Sequence, residues 1–177
     1  MYEKILVPLD GSKLAESVLP YVEEVAQRCD TQNVILISVT ERIRGMQAVA
    51  GRGHYEAPMA GTPISSMDQT WEAARESTRD VPVGVGKMQR QADRYLNRIA
   101  KRLQAKGIKV STEVLLGDPA EEIMIYANLK PIELIAISSH GRSGISRWAH
   151  GSVADRVFRS VNVPILMVRA PGSKAGT

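Results

Sequence analysis

The stretch Ile137–Ser152, ISSHGRSGISRWAHGS, gathers glycines, serines and arginines between two segments of opposite character. The run ahead of it, Pro131–Ser138 (PIELIAIS), is short, apolar and rich in branched residues, which suits a buried parallel strand. Behind it, Ser152–Ser160 (SVADRVFRS) places Val153, Val157 and Phe158 on what reads as the inner side of a helix, with charges between them. The order is strand, glycine-bearing loop, helix.

In an open α/β sheet that order makes an anion site. The ligand sits at the carboxyl ends of the strands, where the first N–H groups of the next helix are unpaired and its dipole favours negative charge. Gly141, Gly144 and Gly151 allow oxygen atoms to approach the main chain, Ser143, Ser146 and Ser152 offer hydroxyls, and Arg142 and Arg147 add positive charge. The segment reads as a phosphate cradle.

Working outward, the same alternation recurs. Ile5–Leu9 is a strand closed by Asp10, Gly11 and Ser12, and a helix follows with Leu14, Val18, Tyr21, Val22 and Val25 on one face. Asn33–Val39 (NVILISV) is a second buried strand. A second helix carries Met88, Ala92, Tyr95, Leu96, Ile99 and Leu103 on its apolar stripe and Arg90, Arg94, Arg98, Lys101 and Arg102 opposite. Lys109–Leu116 is a third strand. Asp118-Pro119-Ala120-Glu121 is a helix start, with Asp as N-cap and Pro at the first position, and Ile123, Met124 and Ala127 face inward. Ile132–Ser138 and Val163–Val168 complete five strands, and Pro164 suits an edge. Strict alternation predicts an α/β fold: a parallel, open five-stranded sheet with right-handed crossovers and helices on both faces.

Glu41–Gly86 breaks the pattern. It holds six of the 14 glycines and is far longer than an ordinary connection, so it is expected to be an insertion, a lid or a mobile loop, with a short helix from Ser66 to about Thr78. The remainder is one domain over 1–177, ending in a flexible polar tail from Pro171 to Thr177.

Composition narrows the function. Cys29 is the one cysteine, so no intramolecular disulfide framework exists, and three histidines at no ligand spacing give no zinc site. No apolar run approaches the ~18 residues of a membrane span, and the N-terminus lacks a signal-peptide core, which points to the cytoplasm. The charge of +4 traces to Lys87–Lys109, read as a solvated helix face, so nucleic acid is not an expected partner. No G-x-x-x-x-G-K-[ST] occurs, and Gly84-Val-Gly86 meets Gln89 where a dinucleotide fingerprint needs a third glycine. P-loop hydrolases and dinucleotide dehydrogenases are thereby excluded.

KILVPLDGS at the start, GDPAEEI at Gly117–Ile123 and SSHGRSGISRWAHGSVADRV with VPILMV at the end arrive in the order, and with the pattern, of the universal stress protein family. The chain resembles its small, single-domain, ATP-binding members outside the insertion. Their signature is Gly, two residues, Gly, nine residues, then Gly and Ser or Thr; Gly141, Arg142–His150 and Gly151-Ser152 fit, and Ser138 holds the place of the first glycine.

The resemblance implies a Rossmann-like, adenine nucleotide alpha hydrolase-like fold with strand order 3-2-1-4-5. It implies an adenine slot lined by Pro8, Leu9 and Val39, with Ile137 near the base. Asp10 would accept from the ribose hydroxyls or hold Mg2+ or Mn2+ on the phosphates of ATP; its alternative role is to cap the first helix. Ser139, His140, Gly141, Gly151, Ser152 and Val153 would wrap the phosphates, with Ser138, Arg142 and Gly144 in the same cradle. His140 is the one candidate for orienting a water at the γ-phosphate, so hydrolysis is expected to be slow or absent. The expected function is a nucleotide-binding stress-response module working as a homodimer through the strand 163–168. The alternatives are a nucleotide-independent dimeric interaction protein, for which Ser138 speaks, and a slow ATP hydrolase.

Overall fold

The computed structural model describes residues 2–40, 83–139 and 152–169. Most of the expected insertion, the loop 140–151 and the tail lie outside these residues. The elements are β1 (Lys4–Pro8), α1 (Leu19–Arg28), β2 (Asn33–Thr40), α2 (Val83–Gln104), β3 (Val110–Leu116), α3 (Pro119–Leu129), β4 (Leu134–Ser139), α4 (Ser152–Ser160) and β5 (Ile165–Arg169), with a 3-10 turn at Ala15–Val18 before α1. Residues 83–87, the start of α2, fall in a separate compact unit, Ile43–Lys87; the other described residues belong to Met1–Arg42 and Met88–Thr177. α2 begins at Val83, within the segment expected to be the insertion.

All strand pairs are parallel, in the order β3-β2-β1-β4-β5. Burial follows position. β1, β2 and β4 are covered on both faces and bury nearly every residue, the reason their sequences read as unbroken apolar runs. The edge strands are only partly buried, so β3 tolerates Ser111 and Glu113 and β5 ends on exposed Arg169.

Side chains alternate between faces along each strand. Ile5, Val7, Val34, Leu36, Leu134 and Ala136 form one core with Val18, Val22, Leu96, Ile99 and Leu103 of the helical layer. Leu6, Ile35, Ile37 and Ile135 point the other way, where α3 packs on α4 and β2, and α4 on β4. This division is what right-handed crossovers require when the chain first winds from β1 to β3 and then crosses back to β4. Glu16 takes Arg98 at 3.5 Å and Arg102 at 3.6 Å, and Glu23 pairs with Lys106, so ion pairs tie α1 and its leading turn to α2 and the turn that follows it.

Three apolar residues expected inside are exposed. Tyr21 is 50% exposed, because the buried stripe of the first helical segment is Ala15, Val18, Leu19, Val22 and Ala26, and Tyr21 falls outside it. Phe158 is 59% exposed, since Ala154 and Val157 define the inner line of α4 and Phe158 lies beyond its edge. Met88 precedes the first fully buried residue of α2, Leu96, by two turns and is exposed as well. Elsewhere the expected features are present: Ile123 and Ala127 are buried, Met124 partly so, and the Glu121 N–H donates to the Asp118 N-cap at 3.0 Å.

Candidate functional site

The sheet is zipped unevenly. Between β1 and β2 the pairing runs as far as Pro8 and Ile37, and the Leu9 N–H still donates to the Ile37 carbonyl at 2.8 Å. Between β1 and β4 it covers only Ile5–Leu134 and Leu6–Ile135. The sheet therefore opens between the carboxyl ends of β1 and β4. That is where the winding reverses, the position at which open α/β sheets form their crevice.

The opening is a cleft of about 370 Å³. Pro8, Leu9 and Asp10 line it from the end of β1, Ile37 and Val39 from β2, and Ile137 and Ser138 from β4. Leu14 and Ala15 close one side; Pro119 and Ile123 of α3 with Val153 and Ala154 of α4 close the other. Seven of the residues singled out in the sequence meet here: Pro8, Leu9, Asp10, Val39, Ile137, Ser138 and Val153. Ser139 does not line the cleft. It is buried at the end of β4, paired in register with Arg169 of β5. Ser152 opens α4, while His140, Gly141, Arg142, Gly144 and Gly151 lie outside the described residues.

Sequence reasoning missed the helical wall. Ile123 reads as a core residue and Pro119 as a helix start, and Ala154 carries no reading of its own, yet each sits in the first turns of a helix that starts at the ligand edge, and that position was the available signal.

At the mouth, the Ser12 N–H donates to Asp10 Oδ1 at 2.8 Å, and the Ala15 N–H donates to Ser12 Oγ at 3.0 Å. Gly11 takes φ +85, a left-handed conformation that favours glycine. The helical turn is thus capped by Ser12, and Asp10 bends the chain into it while its exposed carboxylate stays on the cleft.

The main chain of Val39 is a second polar feature. The Val34 N–H donates to the Lys109 carbonyl and the Gly117 N–H to the Thr40 carbonyl, so even-numbered residues of β2 bond toward β3 and odd-numbered ones toward β1. Beyond the Leu9–Ile37 bond β1 has turned away, and among the described residues no backbone bond reaches the N–H or carbonyl of Val39 on that side. A strand edge with one donor and one acceptor faces an apolar slot.

Two ionisable groups near the site are shifted. Burial first, then the charges of Glu16 and Asp10, hold the buried Tyr95 phenol far above its ordinary range. The Asp118 carboxyl is held low, chiefly by the Glu121 N–H and then by Arg156. Among the described residues no three His, Cys, Asp or Glu side chains cluster as metal ligands, and no helix is long and apolar enough to cross a membrane.

Fold and crevice define the class, a doubly wound open α/β protein with its cleft at the reversal of strand order. Within that class, residues 1–169 match the universal stress protein family, and the chain belongs to it. Universal stress protein MJ0531 of Methanocaldococcus jannaschii is 28% identical over 171 residues, covering 97% of this chain and 84% of that protein. Universal stress protein MJ0577 of the same organism is 26% identical over 173 residues and 98% of both chains. The solved structure of MJ0577 superposes with a TM-score of 0.66, covering 98% of this chain and 99% of that one. A universal stress protein family structure from Arabidopsis thaliana with AMP bound shares the fold at 12% identity and TM-score 0.53, covering 98% of this chain and 95% of that one.

Proposed function

We propose that the chain binds an adenine nucleotide, ATP above all, in the cleft between β1 and β4 and acts through the bound state rather than through turnover. The observation that carries this reading is the pairing, in one cleft, of an apolar slot that ends on the unpaired main chain of Val39 with an exposed carboxylate at Asp10. An adenine is a flat apolar ring with a donor beside an acceptor on one edge, and a ribose offers hydroxyls to a carboxylate. The AMP complex of the Arabidopsis relative supports the same ligand class.

In this reading Pro8, Leu9 and Ile137 hold the base, and Val39 pairs with its edge. Asp10 accepts from the ribose or shares Mg2+ or Mn2+ with the phosphates. Since Asp10 belongs to no three-ligand cluster among the described residues, the phosphate oxygens would have to complete the ion's coordination. The phosphates run toward the start of α4 and the loop 140–151, with Val153 beside them. Among the described residues Asp10 is the carboxylate on the cleft lining; His140, the candidate for orienting a water, lies outside the described residues.

Two further parts belong to this reading: pairing of two copies through the edge strand β5, whose Ile165, Leu166 and Met167 are only partly buried, and work in the cytoplasm. A nucleotide-independent dimer is the second reading, favoured by Ser138, which puts a Cβ and hydroxyl on the cleft lining where ATP-binding members carry glycine. Denaturing the purified protein and identifying released nucleotide by mass, followed by calorimetric titration of stripped protein with ATP and magnesium, separates the two. ATP or another adenine nucleotide is expected; no release and no binding at millimolar ATP would establish the second.

A further inference from the structure

The two helices that wall one side of the cleft are joined by a charged contact outside its lining. Arg156 Nη1 of α4 lies 2.9 Å from Asp118 Oδ1 and 3.1 Å from Oδ2, and its Nη2 lies 3.8 Å from Glu121 Oε1. Asp118 is also the N-cap of α3, accepting the Glu121 N–H at 3.0 Å. One carboxylate thus fixes the first turn of α3 and receives the guanidinium of α4.

Register makes this contact bear on the cleft. Val153 and Arg156 are three residues apart, so they share a side of α4. On α3, Pro119 follows the cap directly and Ile123 comes one turn later. The side of α4 that offers Val153 to the cleft therefore offers Arg156 to Asp118, and the gap between Val153 and the pair Pro119 and Ile123 is set where the guanidinium meets the cap. A single ammonium could not contact Asp118 and Glu121 in this way, so the contact uses what distinguishes arginine from lysine.

We propose that Arg156 is a positioning residue for the nucleotide cleft: by spanning Asp118 and Glu121 it locks the first turns of α4 against the start of α3 and so holds the wall that closes on the ligand. The inference rests on the nucleotide reading for its functional consequence, though not for the contact itself. Surface ion pairs of this exposure add little to global stability, so the effect belongs in ligand affinity and local order rather than in the melting temperature.

The test is a double-mutant cycle with ATP and magnesium as the probe, run well below the melting temperature of every variant. Arg156→Gln is expected to weaken ATP binding about tenfold, Asp118→Asn similarly, since its amide oxygen still caps α3, and the double variant no more than either single. Arg156→Lys should recover part of the affinity. Wild-type affinity in Arg156→Gln, or single effects that multiply in the double variant, would overturn the proposal. Hydrogen exchange in nucleotide-free protein gives an independent readout: the hydrogen-bonded amides 156–160 of α4 should exchange faster in Arg156→Gln, and unchanged rates would overturn it. Wild-type protein that binds no ATP would sink the nucleotide reading, and the exchange result alone would then decide whether Arg156 locks α4.

Discussion

The Leu9 N–H donates to the Ile37 carbonyl across 2.8 Å, the last backbone bond that joins β1 and β2 before β1 turns away at Asp10. Two residues further along β2, the same side of the strand presents Val39 with nothing from β1 to pair with. One strand ending before its neighbour creates the polar edge of the site.

That edge predicts base selectivity. Adenine places an amino donor beside a ring-nitrogen acceptor, whereas guanine places an oxygen and an N–H at the same atoms. In an apolar slot the mismatched order leaves polar groups unpaired. ATP is expected to bind at least about tenfold more tightly than GTP by calorimetry. Because main-chain atoms do the reading, Val39→Ala should keep the ratio while lowering both affinities; equal affinities for ATP and GTP in the wild type would remove Val39 from this role.

Ser138 narrows the slot. It lines the cleft, so removing its Cβ makes room for the proposed ligand. Ser138→Gly should raise ATP affinity by about threefold to tenfold, and Ser138→Val should lower it, with little change in melting temperature for either. Nucleotide titrations on the three proteins, each checked for folding by circular dichroism, measure this.

Tyr95 predicts a feature of the alkaline limb. Burial, then Glu16 and Asp10, push its phenol above its ordinary value of 10.0. The folded state therefore holds the phenol proton more tightly than the unfolded chain does. The resulting contribution to stability is complete below the unfolded pKa and is lost as pH rises beyond it toward the folded value. Urea unfolding as a function of pH should show stability falling above pH 10.0 in the wild type and falling less in Tyr95→Phe. At neutral pH, where the phenol is protonated in both folded and unfolded chains, this contribution is constant and the two proteins should differ little.

Leu36 tests the core under the site. It is fully buried on β2, in the cluster that joins β1, α1 and α2. Leu36→Ala should lower unfolding free energy by about 2–5 kcal/mol through lost burial and an unfilled cavity. Chemical denaturation reads the loss directly, and a change below about 1 kcal/mol would contradict the packing described.

The sequence by itself determined the alternation of strands and helices, the capped start of α3 at Asp118, and the family, through KILVPLDGS, GDPAEEI and the closing glycine pattern. These are local matters: an apolar run buried on both faces, a side chain reaching a nearby N–H, a spacing along a loop. It also marked Asp10, Val39 and Ile137, because residues at the carboxyl ends of parallel strands share one edge whatever the packing. Tertiary structure alone decided what stands opposite them. Tyr21, Met88 and Phe158 have helical spacing that fits an inner face, but the orientation of each helix on the sheet set where that face ends and left all three exposed. Asp118 and Arg156 meet across 38 residues, and Pro119 and Ile123 face Val153, only because the crossover from β3 to β4 lays α3 beside α4. Such proximities depend on strand register and crossover hand, which no window of sequence carries.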